Sequence, residues 1–333
     1  MKKIMAIILS VCLAVLGLTA CSSNKNDTSG ADNTASQNEK ISVVATIFPA
    51  YDWVKQIVGD SDKIDLTLLF DSGTDLHNFQ PTADDIITIS NCDMFIYVGG
   101  ISDEWVNDAL DQAVNKNMVV VDLMDVLGDS VKTEEHKEGM EEEDHEEHED
   151  GEEEIEYDEH IWLSLKNAQV LCNYIGEKLS SIDSENADKY TVNTQSYVSS
   201  LSSLDAKYQQ AVDSSTNKTL LFGDRFPFRY MVDDYGLDYY AAFAGCSAES
   251  EASFETVSFL ADKVDELGLK YVITIEGTTH NIAQTIIDNT ADKNQQVLTL
   301  DSMQSKTLES AQNGETYLSI MESNLSVLQQ ALA

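Results

Sequence analysis

Positive charge is what this sequence lacks. Against 59 Asp and Glu it carries only 20 Lys and Arg, a formal net charge of −39 over 333 residues. Binding to nucleic acid relies on Lys and Arg set against phosphates, so the balance argues against that partner. An acidic surface instead draws cations and keeps a chain soluble outside a cell. Cysteine is scarce as well, with five residues and no CxxC pair to suggest a cysteine zinc site. Leaving aside Cys12 and Cys21 near the N-terminus, Cys92, Cys172 and Cys246 remain. An odd number leaves at least one free thiol, and the plain reading makes these three small buried hydrophobes. There is no G-x-S-x-G elbow and no phosphate-cradling glycine loop. The run His-Glu-Glu-His from His145 to His148 lacks the spacing of a metalloprotease H-E-x-x-H helix. No repeat at a solenoid period is visible.

What is present begins with an export signal. "MKKIMAIILSVCLAVLGLTAC" has two lysines, an apolar run and small residues before Cys21, which is the pattern of a cleaved leader over residues 1–20. Leu18-Thr19-Ala20-Cys21 resembles the bacterial lipobox, whose cysteine is lipidated and becomes the mature N-terminus. Residues 21–39 are polar and poor in large apolar groups, as a flexible tether is.

From Lys40 onward, strand-like and helix-like segments alternate, and 42% hydrophobic side chains suffice for a substantial core. "ISVVATIF", "KIDLTLLF", "MFIYVGG" and "MVVVDL" read as strands, and the intervening segments as helices. In the first of those helices Trp53, Val54, Ile57 and Val58 share one face, and Gly59 closes it. The alternation resumes after a stretch from Ser184 to Val212 that has neither Gly nor Pro and is long enough to bridge two lobes. The expected architecture is α/β, with an N-terminal lobe over 40–183, a connecting helix over 184–214 and a C-terminal lobe over 215–333. Strand-helix alternation implies mostly parallel sheets flanked by helices.

In such sheets ligands sit beyond the carboxyl ends of the strands. Residues there that could bind a borderline cation such as zinc are His77, His160, Glu276, His280 and Asp301. Each also has a plainer reading. His77 reads equally as a surface residue, Asp301 as the N-cap of the segment after it, Glu276 as a strand-end charge and His280 as an exposed first-turn residue.

The segments "VVATIFPAYDWVKQIVGD", "LLFDSGTDLHNFQPTADDI", "MFIYVGGISDEWVNDAL" and "DEHIWLSLKNAQ" closely resemble the metal-binding lipoproteins of bacterial ABC importers for zinc and manganese. The likeness continues through "YGLDYYAAFAGCSAESEAS" and "VLTLDSM", covering almost everything after the tether. It implies two α/β lobes joined by a rigid backbone helix, of the metal-receptor type of periplasmic-binding-like fold, with one ion between the lobes. His77 matches the family's first-lobe histidine, His160 the histidine of its Asp-Pro-His-x-Trp loop, with Glu159 replacing Pro, and Asp301 the second-lobe aspartate. Family members have His or Glu about ten residues before the tyrosine of "YGL", where this chain has Arg225. A guanidinium stays protonated and offers no lone pair. The expected substitute is His280, with Glu276, Asp224 or water as alternatives.

The resemblance therefore implies a receptor, not an enzyme, that binds Zn2+, or alternatively Mn2+. It would act as a monomer, lipid-anchored on the extracellular face of the bacterial cell membrane, and pass its ion to an ABC permease and its ATPase. A metal-dependent surface adhesin and a zinc hydrolase are the rival readings. Residues 133–157 form an acidic block that repels itself, for which disorder is expected. Its His136, His145 and His148 are the candidates for weak auxiliary metal binding.

Overall fold

The computed structural model describes residues 40–141, 156–247 and 251–333. The leader, Cys21, the tether, His145 and His148 lie outside the described residues. Among the described residues no helix is long and apolar enough to cross a membrane.

The first lobe runs β1 (Ile41–Ala45), α1 (Phe48–Val58), β2 (Ile64–Leu68), α2 (Ala83–Asn91), β3 (Met94–Tyr97), α3 (Trp105–Asp111), β4 (Val119–Asp122), α4 (Leu123–Leu127) and α5 (Leu165–Ile182). Its four strands are all parallel, in the order β2-β1-β3-β4. After the long α6 (Ala187–Ser214), the second lobe runs β5 (Thr219–Arg225), α7 (Arg229–Tyr235), β6 (Asp238–Phe243), α8 (Phe254–Leu267), β7 (Tyr271–Ile275), α9 (Asn281–Asn289), β8 (Gln296–Leu300), α10 (Leu308–Gln312) and α11 (Tyr317–Ala331). Its sheet is also parallel, ordered β6-β5-β7-β8, so both lobes repeat one winding. In each, the order of winding switches sides between the first and third strands of the lobe, and a crevice opens there at the carboxyl ends of the parallel strands.

The expected apolar face of α1 holds, with Trp53, Val54, Ile57 and Val58 all buried and Pro49 in the first turn, where its missing N–H costs nothing. Helix α6 buries Tyr190, Thr194, Leu201, Leu204, Tyr208 and Val212, spaced at close to whole turns, so a single stripe faces inward along its length. It packs against α5 as a tight hairpin. Gly176 makes this approach feasible, since a Cβ there would lie 2.3 Å from Thr194 Oγ1. The buried hydroxyls on this stripe are satisfied, with Tyr208 donating to Met321 O at 2.7 Å and Tyr190 to Asp183 Oδ2 at 2.7 Å.

The lobes share a core. Trp53 of α1 meets Tyr317 of α11 edge-on at 5.3 Å, a contact that adds about 0.5–1.5 kcal/mol beyond the area buried. Tyr317 also donates its hydroxyl to Trp162 O (2.6 Å) and its backbone N–H to Asp52 Oδ2 (2.9 Å). A separate apolar cluster, including Leu221, Val257, Leu260 and Ile286, lies among β5, α8 and α9.

Both ends of the acidic block fall among the described residues. Its first residues, 133–141, and its last two described residues, 156–157, are placed rather than disordered. Thr133 bridges Tyr157, Glu134 N donates to Glu156 O at 3.0 Å, and Asp158 N donates to Lys132 O at 2.9 Å. The outgoing arm then crosses to β6. Lys137 pairs with Asp238, Met140 is buried, and Glu141 N donates to Ala242 O at 2.9 Å. It covers an edge strand that would otherwise expose unpaired backbone groups. The pairing of these flanks and the burial of Met140 are features that charge density does not report, and residues 142–155, the middle of the block, lie outside the described residues.

Candidate metal centre

Three loops bring the first-lobe donors together. Beyond β2, Asp75 caps a short 3-10 turn over Leu76–Asn78, its Oδ1 accepting from His77 N at 3.1 Å. Beyond β3, Ser102 places its hydroxyl 2.9 Å from His77 Nδ1. Before α5, the run Asp158-Glu159-His160 leads into a second 3-10 turn over Ile161–Leu163. Glu159 Oε1 accepts from Ser102 N at 2.8 Å, and its Oε2 lies 3.2 Å from His77 Nδ1. Asp158 Oδ1 accepts from both His160 N (2.8 Å) and His160 Nδ1 (2.9 Å).

The Asp158 carboxylate thus fixes the His160 tautomer and leaves its Nε2 to face the cleft, while His77 Nδ1 faces the Ser102 hydroxyl with the Glu159 carboxylate beside it. The two Nε2 atoms lie 3.2 Å apart. Nitrogens bonded to one tetrahedral zinc at about 2.0–2.1 Å are separated by about 3.3 Å. Two lone pairs aimed at each other repel unless a proton or a cation lies between them.

The surrounding charge favours a cation. Burial opposes a charged His160, but the carboxylates of Asp158, Asp75 and Glu159 outweigh it and hold its pKa above the ordinary histidine value. Burial alone would lift the Glu159 carboxyl, but hydrogen bonds from His77 and Ser102 bring it below the usual range.

The second-lobe candidates are engaged elsewhere. Asp301, just past β8, pairs with Lys306 Nζ at 2.8 Å and accepts from Met303 N at 2.9 Å. Glu276 accepts from Ser302 N (2.6 Å), Ser302 Oγ (2.8 Å) and Gln304 N (3.2 Å). Burial and the neighbouring Asp301 charge raise its pKa. That brace sets the loop 301–304 against the first-lobe histidine, so that Trp162 Nε1 donates to Ser302 O at 2.8 Å and the Gln304 amide contacts His160 Nε2. Asp224 accepts from Thr278 Oγ1 (2.9 Å) and Ile275 N (3.2 Å). His280 stands at the N-cap of α9 with φ +57°, its Nδ1 3.4 Å from Thr278 Oγ1. It lines a cavity of about 750 Å³ together with Asp75, Asp224 and Arg225. His136, on the outgoing arm of the acidic block, is exposed.

Among the described residues, the donors that do converge are His77, His160 and Cys246, one ligand atom of each lying within 4.8 Å of the other two. His280, Glu276, Asp224 and Asp301 are not in that group. Sequence reasoning took Cys246 for a core residue, as Cys92 and Cys172 are, both fully buried. A usable signal was present, because Cys246 follows the carboxyl end of β6, as His77 follows β2, His280 β7 and Asp301 β8.

Against this geometry, the family model described as "Zinc-uptake complex component A periplasmic" matches residues 43–331. The chain belongs to this family. A member from Bacillus subtilis, named a high-affinity zinc uptake system protein, is 30% identical over 97% of both chains. The zinc-binding lipoprotein AdcA of Streptococcus pneumoniae is 30% identical over 99% of this chain, which spans only 61% of that relative's length. The solved Zn(II)-bound ZnuA-like domain of the same AdcA superimposes with a TM-score of 0.68 at 26% identity, covering 88% of this chain and 99% of the domain. Within the family frame, Arg225 ends β5 where a ligand was expected. Its Nη2 donates to Asp75 Oδ2 at 2.9 Å and its Nη1 to Ser247 O at 3.4 Å.

Proposed function

We propose that this chain is a receptor that captures one zinc ion between its lobes and delivers it to the permease and ATPase of an ABC importer. His77 and His160 are the primary ligands. From the second lobe, Asp301 joins them by exchanging its Lys306 partner for the ion. The observation that supports this reading most directly is the 3.2 Å approach of the two Nε2 atoms, each ring held from behind by acidic groups. The names of the bacterial relatives point the same way. Lipidation at Cys21 would hold the receptor at the extracellular face of the membrane, and it needs no second copy to complete the site. It catalyses no reaction of its own, so the loaded protein should turn over no peptide, ester or phosphate substrate.

The test is a competition titration of chelator-stripped protein with zinc and manganese. One tight zinc equivalent is expected, and His77→Ala or His160→Ala should each abolish it while circular dichroism stays unchanged. Tighter binding of manganese, or full zinc affinity in both variants, would overturn the reading.

A further inference from the structure

The residue that replaces the lost ligand at Arg225 is identified by the second lobe's own loops. We infer that Cys246 binds the metal through its sulfur, as the third protein ligand beside His77 and His160. The inference rests on the reading of the chain as a zinc receptor and specifies its donor set.

Three features build this position. The backbone between β6 and Cys246 passes so close to the site that a Cβ at Gly245 would lie 2.8 Å from Phe226 O and 3.3 Å from the His160 ring. Only glycine lets the next residue project alongside that imidazole. Glu134 Oε1, from the ordered arm of the acidic block, accepts from Cys246 N at 2.8 Å and fixes the backbone. Arg225 Nη1 donates to the carbonyl of the following residue, Ser247, at 3.4 Å. The arginine that supplies no lone pair thus anchors the turn that does.

Cys246 is also set apart from the other two thiols of the described chain. Cys92 and Cys172 are sealed in the core, whereas Cys246 is partly exposed and lies within 4.8 Å of both histidine donors. Coordination forms a sulfur–metal bond and releases the thiol proton, with no change of oxidation state. Two imidazoles and a thiolate make a borderline-soft set that selects zinc over manganese, which prefers oxygen donors. The fourth position of a tetrahedral ion faces the loop 301–304, where Gln304 now contacts His160.

Cobalt(II) is the probe, since thiolate ligation gives a near-ultraviolet charge-transfer band that nitrogen and oxygen ligands do not. Wild-type full chain loaded with Co2+ is expected to show this band and to lose it to added Zn2+. Cys246→Ser should keep visible d–d bands, lack the near-ultraviolet band and bind zinc more than about tenfold more weakly, a loss that removal of even an outer partner can produce. Tight binding by wild-type protein without the band would overturn Cys246 and leave the zinc reading standing. If His280→Ala then lost affinity, His280 would be the ligand instead. No binding of either metal by wild-type protein would overturn both. The wild-type spectrum needs no variant, so a misfolded serine form cannot rescue the inference.

Discussion

Arg225 and Asp75 join the two lobes across the metal cleft, guanidinium Nη2 to carboxylate Oδ2 at 2.9 Å, both side chains largely withdrawn from water. Burial would raise the Asp75 carboxyl, yet His77 and Arg225 hold it below the usual range. The pair thus links the end of β5 to the cap that orients His77.

Removing the guanidinium leaves a partly buried carboxylate without its strongest partner. Arg225→Gln should lower stability by about 1–3 kcal/mol, the usual range for a hydrogen bond to a charged group. Zinc affinity should fall by about tenfold, in the range set by outer-sphere changes. Urea denaturation and a zinc competition titration measure the two separately. Unchanged affinity would mean that the arginine braces neither His77 nor the Cys246 turn.

A sharper effect is expected at Asp158, which accepts from both His160 N and Nδ1. In Asp158→Asn the amide oxygen can still accept, but the charge that favours Nδ1–H and a basic Nε2 is gone. Zinc affinity should drop about 10–100-fold, with thermal stability of the metal-free protein changing far less. An affinity within twofold of wild type would show that ring orientation is set by packing around Trp162 instead.

The strands were legible in the sequence because they obey a local rule, whereas His77 and His160 stood out through the resemblance of the loops around them to a known family. Short β-branched runs mark strands, and the ligands of such sheets gather beyond the strands' carboxyl ends. What was not legible depended on contacts between residues far apart in the chain. The brace from Glu134 to Cys246 spans two lobes, and no periodicity reports it. Cys246 was passed over because an apolar flank, "YYAAFAGC", reads as core, although its place after β6 obeys the rule applied to the histidines. The ion pair of Asp301 with Lys306 and the approach of His280 to Thr278 are likewise contacts that no periodicity reports.

Asp103 gives a pH-dependent prediction. Its Oδ2 accepts from Val98 N and Gly99 N at 2.9 and 3.0 Å, while Oδ1 is buried with no hydrogen-bond partner among the described residues. Burial, aided by the Glu159 and Asp122 charges, pushes the carboxyl up to about 7. A folded-state pKa above the unfolded value, about 3.9, means that the native state holds the proton more tightly. The resulting stability is fully present below about pH 4 and is lost as pH rises through 7. Asn cannot ionise, and its oxygen can keep both N–H partners. The stability of Asp103→Asn relative to wild type should therefore improve by roughly 2.6 kcal/mol between pH 5 and pH 8. Equal differences at the two pH values, in urea melts of metal-free protein, would rule out a buried proton at this position.

The acidic block should separate into two functions when it is cut at different places. Residues 142–155, with His145 and His148, lie beyond the arm that reaches β6. Excising them should remove weak, salt-sensitive zinc equivalents and leave the tight one, because it keeps Glu134, Glu135 and Glu141, which bond Cys246, Tyr239 and Ala242. Excising 134–156 removes Glu134 as well, and with it the acceptor that holds Cys246 N. The tight ion should then weaken by about tenfold or more, as expected when an outer partner of a ligand is lost. Glu134→Gln isolates the cause, since it keeps an acceptor in place and should retain most of the affinity that the longer excision loses. Isothermal titration at low and high salt distinguishes the classes, because screening weakens diffuse acidic attraction far more than a desolvated site. Equal tight affinity in both excisions would show that the arm covers the edge of β6 without supporting the metal.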